Sequence, residues 1–566
     1  MTRVDRVALG GALVVPWLFI WQGLDFTDQG YLLTGYRCFF RHVEATEDSG
    51  SLWLTNLIGA TWNALFGGLG VVGVRALWAL CMSLGMLLAF HFVRRFTSVR
   101  VAALASLVAS VFLSDRRETW FSYNTSSSLM FMAAAMSTAY AVSQRSVPWL
   151  FGAGVWIGAL PFARIPNLLA VGLVAAPVLA ALLEPARRAR LLRDLGVMLL
   201  GVVAGASGLL ALIYLMGHWP VFTSALRGLF APSMEAGGYG TDSLLHKFIS
   251  DQTQALLCGL AICVGGFLLS LILRKLPAKV GWPVVVVVAA LGAWGLTQGE
   301  ELWSVAAPGT LYFVLGGVTL GLWKRSLELR VAAFVVLVIV VIAPLGSNNG
   351  IRNAHMGLWL GVPLLLALLS ALEAPRLGGQ GPKLALLAGL ALFGEGIHRG
   401  ATYTYRDGER EQLVVPVKHP QLRGQYTTAA RAKVVSEVLD ALAGRVRPGD
   451  YLLAYEGAPL LQYLTKTRPY LNRPWLMSYE SPKVIARLAA EAPARTGCLP
   501  VVVRTFKSTR GFDWPKPARP LEGKEPMRST RRVLKRFLER HGYERTWGNA
   551  FFEILEPPAA QRRQCR

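Results

Sequence analysis

The sequence predicts a polytopic α-helical membrane protein with about 13 transmembrane helices and a C-terminal extracytoplasmic α/β domain. Three observations carry that prediction. Of 566 residues, 53% are hydrophobic and 16% charged, with a mean hydropathy of +0.41; a soluble chain carries about 25% charged residues, so too few polar groups remain to cover an exterior. Apolar runs recur through residues 7–398, each near the ~20-residue helix that hydrocarbon demands of a backbone with no water to bond. Residues 399–566 lose that character and become turn-rich and basic. The same composition excludes disordered, fibrous and collagen-like chains. The six cysteines (Cys38, Cys81, Cys258, Cys263, Cys498, Cys565) form no CxxC and have no histidine in ligand spacing, which excludes a disulfide scaffold or a zinc ribbon.

The predicted spans are residues 7–23, 69–93, 99–114, 127–143, 147–162, 167–183, 195–216, 255–273, 280–297, 303–323, 331–345, 356–372 and 384–398. Residues 147–183 also read as one bent hairpin at Ala163-Arg164-Ile165-Pro166. The first run follows Arg3 and Arg6 as a signal peptide would, but Trp17, Phe19 and Trp21 stand where a cleavage site needs small residues, so an uncleaved span is expected. With the N-terminus cytoplasmic, the inner loops hold 18 Lys and Arg against nine in the outer loops up to residue 398, the asymmetry that orients membrane proteins. An odd number of spans then puts the tail outside.

That tail carries 31 basic and 16 acidic residues, about +15 of the chain's net +24. A basic exported domain beside anionic headgroups suits membrane-surface work and lipid-linked anionic ligands, with membrane lipids as neighbours and no nucleic acid as partner. Residues 451–455, 501–505 and 551–555 read as strands. Residues 531–541 have helical spacing, with Val533, Leu534, Phe537 and Leu538 on one side. Turns at Arg447-Pro448-Gly449-Asp450 and Trp514-Pro515-Lys516-Pro517 separate them. The amphipathic helix docks either on the sheet, the favoured expectation, or on lipid.

The most informative stretch is Leu24-Asp25-Phe26-Thr27-Asp28-Gln29-Gly30-Tyr31, where two carboxylates stand at the expected outer end of the first span. Apolar and aromatic residues then recur at helical spacing over about 30–66, which predicts two interfacial helices. The plainer reading of Asp25 and Asp28 is a solvated helix exit.

In layout (about thirteen spans, an acidic motif opening a long first outer loop, an outer α/β domain) the chain resembles the GT-C superfamily of polyprenyl-phosphate-sugar-dependent glycosyltransferases. That superfamily includes protein O-mannosyltransferases and the aminoarabinose transferases of lipid A. Asp28-Gln29-Gly30-Tyr31 is similar to the family's acidic pair followed by Tyr, with Gln29 where many members have Glu. The resemblance implies Asp28 as catalytic base, Asp25 as assistant and Tyr31 at the substrate. It also implies a polyprenyl-phosphate-linked sugar donor, single displacement with inversion, and a location in the bacterial inner membrane. A divalent metal is possible and no cofactor is certain.

That chemistry needs cations for the leaving phosphate; at ~4 Å and an effective dielectric near 20 one such contact is worth roughly 4 kcal/mol before desolvation. Arg164, between two apolar spans, reads either as a phosphate ligand in a wet cavity or as a snorkelling side chain. Arg352 sits in Ser347-Asn348-Asn349-Gly350-Ile351-Arg352-Asn353-Ala354-His355, an outer loop whose Asn348, Asn349, Arg352 and His355 suit a phosphate or sugar. Glu118, beside Arg116 and Arg117, is a second acid, a metal ligand or part of a surface ion cluster. His42, Glu44, Glu47 and Asp48 offer donors without metal spacing. Residues 218–250 read as an outer segment with a glycine-rich loop. The expected activity is transfer of a sugar from the carrier to a lipid, glycan or protein acceptor. The alternative is a polytopic transporter or lipid flippase, which would place ionisable groups at mid-span.

Overall fold

The computed structural model describes residues 1–114, 118–229, 240–298, 302–322, 325–371, 380–476, 482–506, 509–511, 514–515 and 525–561. Each predicted span has a helical counterpart. Helix α1 (Arg3–Val14) opens on a capping box in which Thr2 and Asp5 exchange hydrogen bonds, and continues as a 3₁₀ turn over Val15–Phe19. Two short helices follow, α2 (Asp28–Cys38) and α3 (Trp53–Phe66). The next long helices are α4 (Gly70–Val93), α5 (Val99–Leu113), α6 (Tyr123–Gln144) and α7 (Val147–Ala163). Ser98 and Ser122 cap α5 and α6.

The bend expected at residues 163–166 is present. Helix α7 stops at Ala163, Arg164 is extended, and a 3₁₀ segment from Ile165 to Ala175 leads into α8 (Ala176–Leu183). Then come α9 (Leu191–Leu215), α10 (Trp219–Leu229), α11 (Thr241–Lys275), α12 (Ala278–Thr297), α13 (Leu302–Leu320), α14 (Leu327–Ile342), α15 (His355–Ser370) and α16 (Gly381–Thr402). Among the described residues, seven helical segments are individually long and apolar enough to cross a membrane. Large apolar side chains such as Leu200, Leu257, Val287 and Trp294 lie exposed on α9, α11 and α12, which a lipid environment explains and water does not. Helices α7 and α9 meet through Gly154, Gly158, Gly201 and Gly205, where any Cβ would strike the facing backbone, the small-residue spacing that lets membrane helices approach closely.

Two stretches differ from expectation. The segment 218–250 contains α10 and the first turns of α11, because nothing after Gly240 breaks the helix that runs for 35 residues to Lys275. At ~1.5 Å per residue such a helix outruns a ~30 Å hydrocarbon core and projects beyond it. Helix α2, expected to lie in the membrane interface, is instead enclosed: Gln29, Gly30, Leu32, Leu33, Thr34, Gly35, Tyr36 and Cys38 are all buried. It is enclosed because the C-terminal part of the chain packs over it. Helix α3 does keep Leu65 and Phe66 exposed.

Beyond Thr402 the chain builds a small α/β unit. A two-stranded piece pairs β1 (Val415–Pro416) with β2 (Tyr426–Thr427), and α17 (Ala429–Ala443) follows, capped by Thr428. The main sheet has β3 (Tyr451–Tyr455), β4 (Arg468–Pro469), β5 (Val501–Thr505), β6 (Glu544–Gly548) and β7 (Phe552–Glu556) in the order β4-β3-β5-β7-β6. Strand β3 is parallel to β4 and β5, while β7 is antiparallel to β5 and β6. Helices α18 (Leu460–Leu464), α19 (Pro482–Thr496) and α20 (Glu525–Arg540) complete it. The three strands read from sequence are present, the last one shifted by a residue. Alternation splits β3: Leu452 and Ala454 join the core continuous with the membrane helices, whereas Leu453 and Tyr455 join a separate cluster with Leu534, Phe537 and Leu538 of α20. The amphipathic helix therefore docks on the sheet. Cys498, between α19 and β5, is disulfide-bonded, a bond the cysteine spacing did not foresee.

Candidate active site at the junction of the membrane helices and the C-terminal unit

The site begins where the chain leaves α1. Residues 20–24 run along β2: the Gly23 amide donates to the Tyr426 carbonyl at 2.9 Å, the Tyr426 amide to Trp21 at 2.8 Å, and the Gln425 side chain to Ile20 at 2.7 Å. Arg75, buried in the first turns of α4, donates to the carbonyls of Gln22 at 2.6 Å and Gly23 at 2.7 Å. Its Nη2 also reaches Gln29 Oε1 at 3.4 Å. These bonds satisfy backbone groups that would otherwise be buried unpaired, and they fix the direction in which residues 25–29 turn.

Asp25 makes that turn. Fully buried, it accepts from the Thr27 amide at 3.1 Å, the Thr27 hydroxyl at 2.7 Å and the Gln29 amide at 2.8 Å. Burial pushes its carboxyl above the ordinary carboxylate range; the nearby Asp28 charge pushes the same way, and Arg406 with the hydrogen bonds opposes. Asp25, expected from the sequence to assist Asp28, has no open face for a substrate.

Asp28 opens α2 and is about one-third exposed. Its Oδ2 takes the Tyr405 hydroxyl at 2.7 Å and Arg406 Nη1 at 2.9 Å; Oδ1 has no partner among the described residues. One oxygen is clamped and the other faces open space. The same Arg406 nitrogen bonds Thr27 Oγ1 and lies 3.8 Å from Asp25. Burial works against the Arg406 charge, but Asp28 and then Asp25 outweigh it and hold the guanidinium firmly protonated.

Arg406 is itself held. Its φ is +55°, left-handed for a residue with a side chain, a conformation that persists only where neighbours enforce it. The enforcing group is Arg431 of α17, wholly buried, which donates Nη1 to the Arg406 carbonyl at 2.7 Å and pairs with Asp407 at 2.7 Å. Asp407 also accepts from the Leu24 amide, the Gly408 amide and the Thr427 hydroxyl, each at 2.7 Å. The Arg431 guanidinium stacks 4.1 Å from the Trp514 ring.

The remaining predicted residues lie on other elements. Trp120 packs edge-on to Tyr405, with ring centroids 5.2 Å apart. Two residues before it, Glu118 accepts from Ser122 at 2.5 Å and Asn124 at 2.6 Å and lines a small cavity. That cavity has Glu118, Asn124, Thr125, Ser128 and His355 on its polar wall and Trp78 and Trp359 on its aromatic one. Glu118 and His355, predicted independently, thus line one cavity; the His355 ring nitrogen Nδ1 lies 2.9 Å from the Arg352 carbonyl.

Arg164 is buried, its guanidinium 5.9 Å from the Tyr123 ring at the start of α6 and 3.4 Å from the Ala343 carbonyl. Burial at that position sets aside the snorkelling reading. The loop of residues 347–355 rests on α11, where Asp251 accepts from the Ile351 amide at 2.9 Å and pairs with Lys247 at 3.1 Å. On it Asn348 is exposed, and Asn349 and Arg352 half-buried. Tyr31, half-buried and one turn along α2 from Asp28, meets Trp475 edge-on at 6.2 Å. Arg116, Arg117 and the loop 237–239 lie outside the described residues. No group of three or more His, Cys, Asp or Glu converges as a metal-ligand set among the described residues. The set His42, Glu44, Glu47, Asp48 does not assemble into one: Glu47 bonds Ser224 instead.

Sequence reading missed Arg75, Asp251, Tyr405, Arg406, Asp407 and Arg431. The signal for three of them was visible: Tyr405-Arg406-Asp407-Gly408 at the end of the last span mirrors the aromatic-and-acid cluster at the end of the first. Arg431 carries no local signal, since a helix arginine is ordinarily solvated.

No protein-family model matches the chain, and no curated protein does. Among solved structures, an archaeal oligosaccharyltransferase from Archaeoglobus fulgidus, in complex with an inhibitory peptide and a dolichol-phosphate, overlaps 89% of this chain and 69% of its own at 14% identity and a TM-score of 0.41. The complex of the Archaeoglobus fulgidus oligosaccharyltransferase with zinc and sulfate gives the same TM-score and identity over 89% and 68%. An arabinosyltransferase from Mycobacterium smegmatis overlaps 71% of this chain and 42% of its own, at 13% identity and a TM-score of 0.32. Overlap of that quality carries no weight for what the chain does.

Proposed function

We propose that the chain is a membrane glycosyltransferase of the GT-C type, moving a sugar from a polyprenyl-phosphate carrier to an acceptor hydroxyl on the extracytoplasmic face of a bacterial inner membrane. The observation that carries the reading is Asp28: a carboxylate with one oxygen clamped by Arg406 and Tyr405 and the other open. A general base must be oriented and must keep a free lone pair within hydrogen-bond reach of the proton it takes. Residues 1–398 form the catalytic membrane domain in this reading, and residues 399–566 are a periplasmic domain that completes the site. The basic-loop asymmetry and the disulfide at Cys498 support that orientation, because disulfides persist in oxidising compartments.

In the reaction, the acceptor O–H gives its proton to Asp28 Oδ1 as its oxygen bonds the anomeric carbon. The bond from that carbon to the phosphate oxygen breaks on the opposite face, and the electron pair leaves with the lipid phosphate, inverting the centre. Arg164 and Arg352 supply positive charge toward the leaving group, and the Asn348–Asn349 loop, Tyr31, Glu118 and His355 contact sugar hydroxyls. Fixed cations act best on charge that develops where water is scarce. A divalent ion, if bound, would add charge at the phosphate, but no set of three or more acidic, His or Cys ligands converges to hold one among the described residues. A transporter would instead hold ionisable groups near mid-span, whereas Asp28, Arg75, Arg164 and Arg406 all lie at helix ends.

The test is mass spectrometry of envelope lipids, glycans and glycoproteins from cells carrying the wild-type chain, no chain, or Asp28→Asn. The expected result is a hexose- or pentose-sized mass increment that appears only with the wild type. Identical profiles in all three would remove the transferase reading.

A further inference from the structure

We infer that Arg406 is the primary ligand of the donor's phosphate, bridging the base and the leaving group through opposite edges of one guanidinium; this rests on the transferase reading above. Among the described residues, every side-chain polar contact of Arg406 uses a single nitrogen, Nη1, which serves Asp28, Thr27 and Asp25. Among the described residues its Nε and Nη2 have no hydrogen-bond partner, and neither is a sealed buried atom. A rigid fork with one edge committed and the other open is a site for a second anion, and the planar guanidinium matches phosphate in a bidentate manner.

The geometry suits an inverting displacement. Two hydrogen bonds of about 2.8 Å on opposite edges of one guanidinium set their acceptors roughly 6–8 Å apart. Base and leaving oxygen, separated by nucleophile and anomeric carbon at near-attack distances of about 3 Å each, stand at a similar spacing. In the step, the acceptor proton passes to Asp28 Oδ1, the carbon–phosphate-oxygen bond breaks, and the pair it releases resides on a phosphate oxygen facing Arg406 Nη2 and Nε. The left-handed backbone at residue 406, locked by Arg431 and Asp407, prevents the guanidinium from following the departing lipid. The C-terminal unit thereby sets the distance between base and leaving group, although Asp28 belongs to the first helix pair.

The test uses the full-length chain in detergent and measures binding of a short polyprenyl phosphate against the parent polyprenol, for wild type, Arg406→Gln, Arg406→Lys, Arg352→Gln and Tyr405→Phe. A hydrogen-bonded charge pair lost from a semi-enclosed site weakens binding roughly 10- to 100-fold. That loss is expected for Arg406→Gln toward the phosphate, with polyprenol affinity unchanged. Arg406→Lys, a point charge in place of a fork, should recover only part of it. Tyr405→Phe removes a hydroxyl that bonds Asp28 and not the open guanidinium edge, and keeps the ring 4.8 Å from the guanidinium; it should lower turnover but leave phosphate affinity within about twofold. If Arg406→Gln binds the phosphate as the wild type does while Arg352→Gln loses it, the assignment to Arg406 is overturned and the transferase reading stands. If the wild type itself shows no preference for the phosphate over the alcohol, the donor reading fails instead. Should Arg406→Gln not fold, Arg406→Lys decides alone: undiminished affinity sinks the bridge.

Discussion

At the residue scale the proposed chemistry rests on how two neighbouring carboxylates differ. Asp25 is saturated by Thr27 and Gln29 and sealed from solvent, while Asp28 keeps one oxygen open. On the proposed reading, replacing Asp28 should lower turnover selectively. Asp28→Asn is expected to lower kcat by roughly 10²- to 10⁴-fold, the contribution of a positioned base, with donor KM changed far less; equal losses in both would point to a binding role. Asp25 makes a different prediction. Burial raises its carboxyl, so the folded state holds that proton to higher pH than the unfolded chain. The stability this group contributes is then fully present below the ordinary carboxylate range and is lost as pH rises through the raised value. Thermal unfolding of the wild type and Asp25→Asn, compared from about pH 4 to about pH 8, should show the wild type losing ground to the variant as pH increases.

At the element scale the decisive contact is between α2 and the 458–464 turn. A Cβ on Gly30 would land on the Leu460 backbone, and backbone cannot yield as a flexible side chain can. The Leu460 amide donates to Phe26 at 3.1 Å, Thr34 donates to Pro459 at 3.2 Å, and Arg37 caps Gln462 at 2.8 Å. Gly30→Ala should therefore pry the two elements apart, destabilising the protein by about 1–3 kcal/mol as other overpacked sites do. It should also lower activity without touching Asp28's own chemistry; an unfolding midpoint equal to the wild type's would count against so close a packing. Periodicity alone put α2 on a membrane surface because Tyr31, Leu32, Gly35, Tyr36, Phe39 and Phe40 form an apolar set. An apolar face meeting lipid and one meeting protein look alike in sequence. Tyr36, whose hydroxyl donates to the Phe121 carbonyl at 3.0 Å, shows which applies.

At the scale of the whole molecule, two regions nearly 380 positions apart build one site: Tyr405 and Arg406 reach Asp28. The buried pair Asp407–Arg431 welds them together, and removing one member of such a pair leaves an uncompensated charge costing about 3–5 kcal/mol. Arg431→Met is thus expected to destabilise the C-terminal unit by that order and to abolish activity while the spans still insert, as read by protease protection in membranes. A reporter fused after residue 400 should be active only outside the cytoplasm; cytoplasmic activity would reverse the proposed topology. The sequence by itself determined the helical spans, three strands of the sheet and the docking helix, because hydrophobic periodicity and burial along a continuous segment are local properties. It also marked Glu118 and His355, which the fold brings to one cavity. Only the tertiary structure decided that α2 is enclosed, that Asp25 is sealed, and that Arg406 and Arg431 belong to the site. Their roles depend on electrostatic partners hundreds of positions distant, and no local pattern encodes which arginine will lose its water and gain a carboxylate.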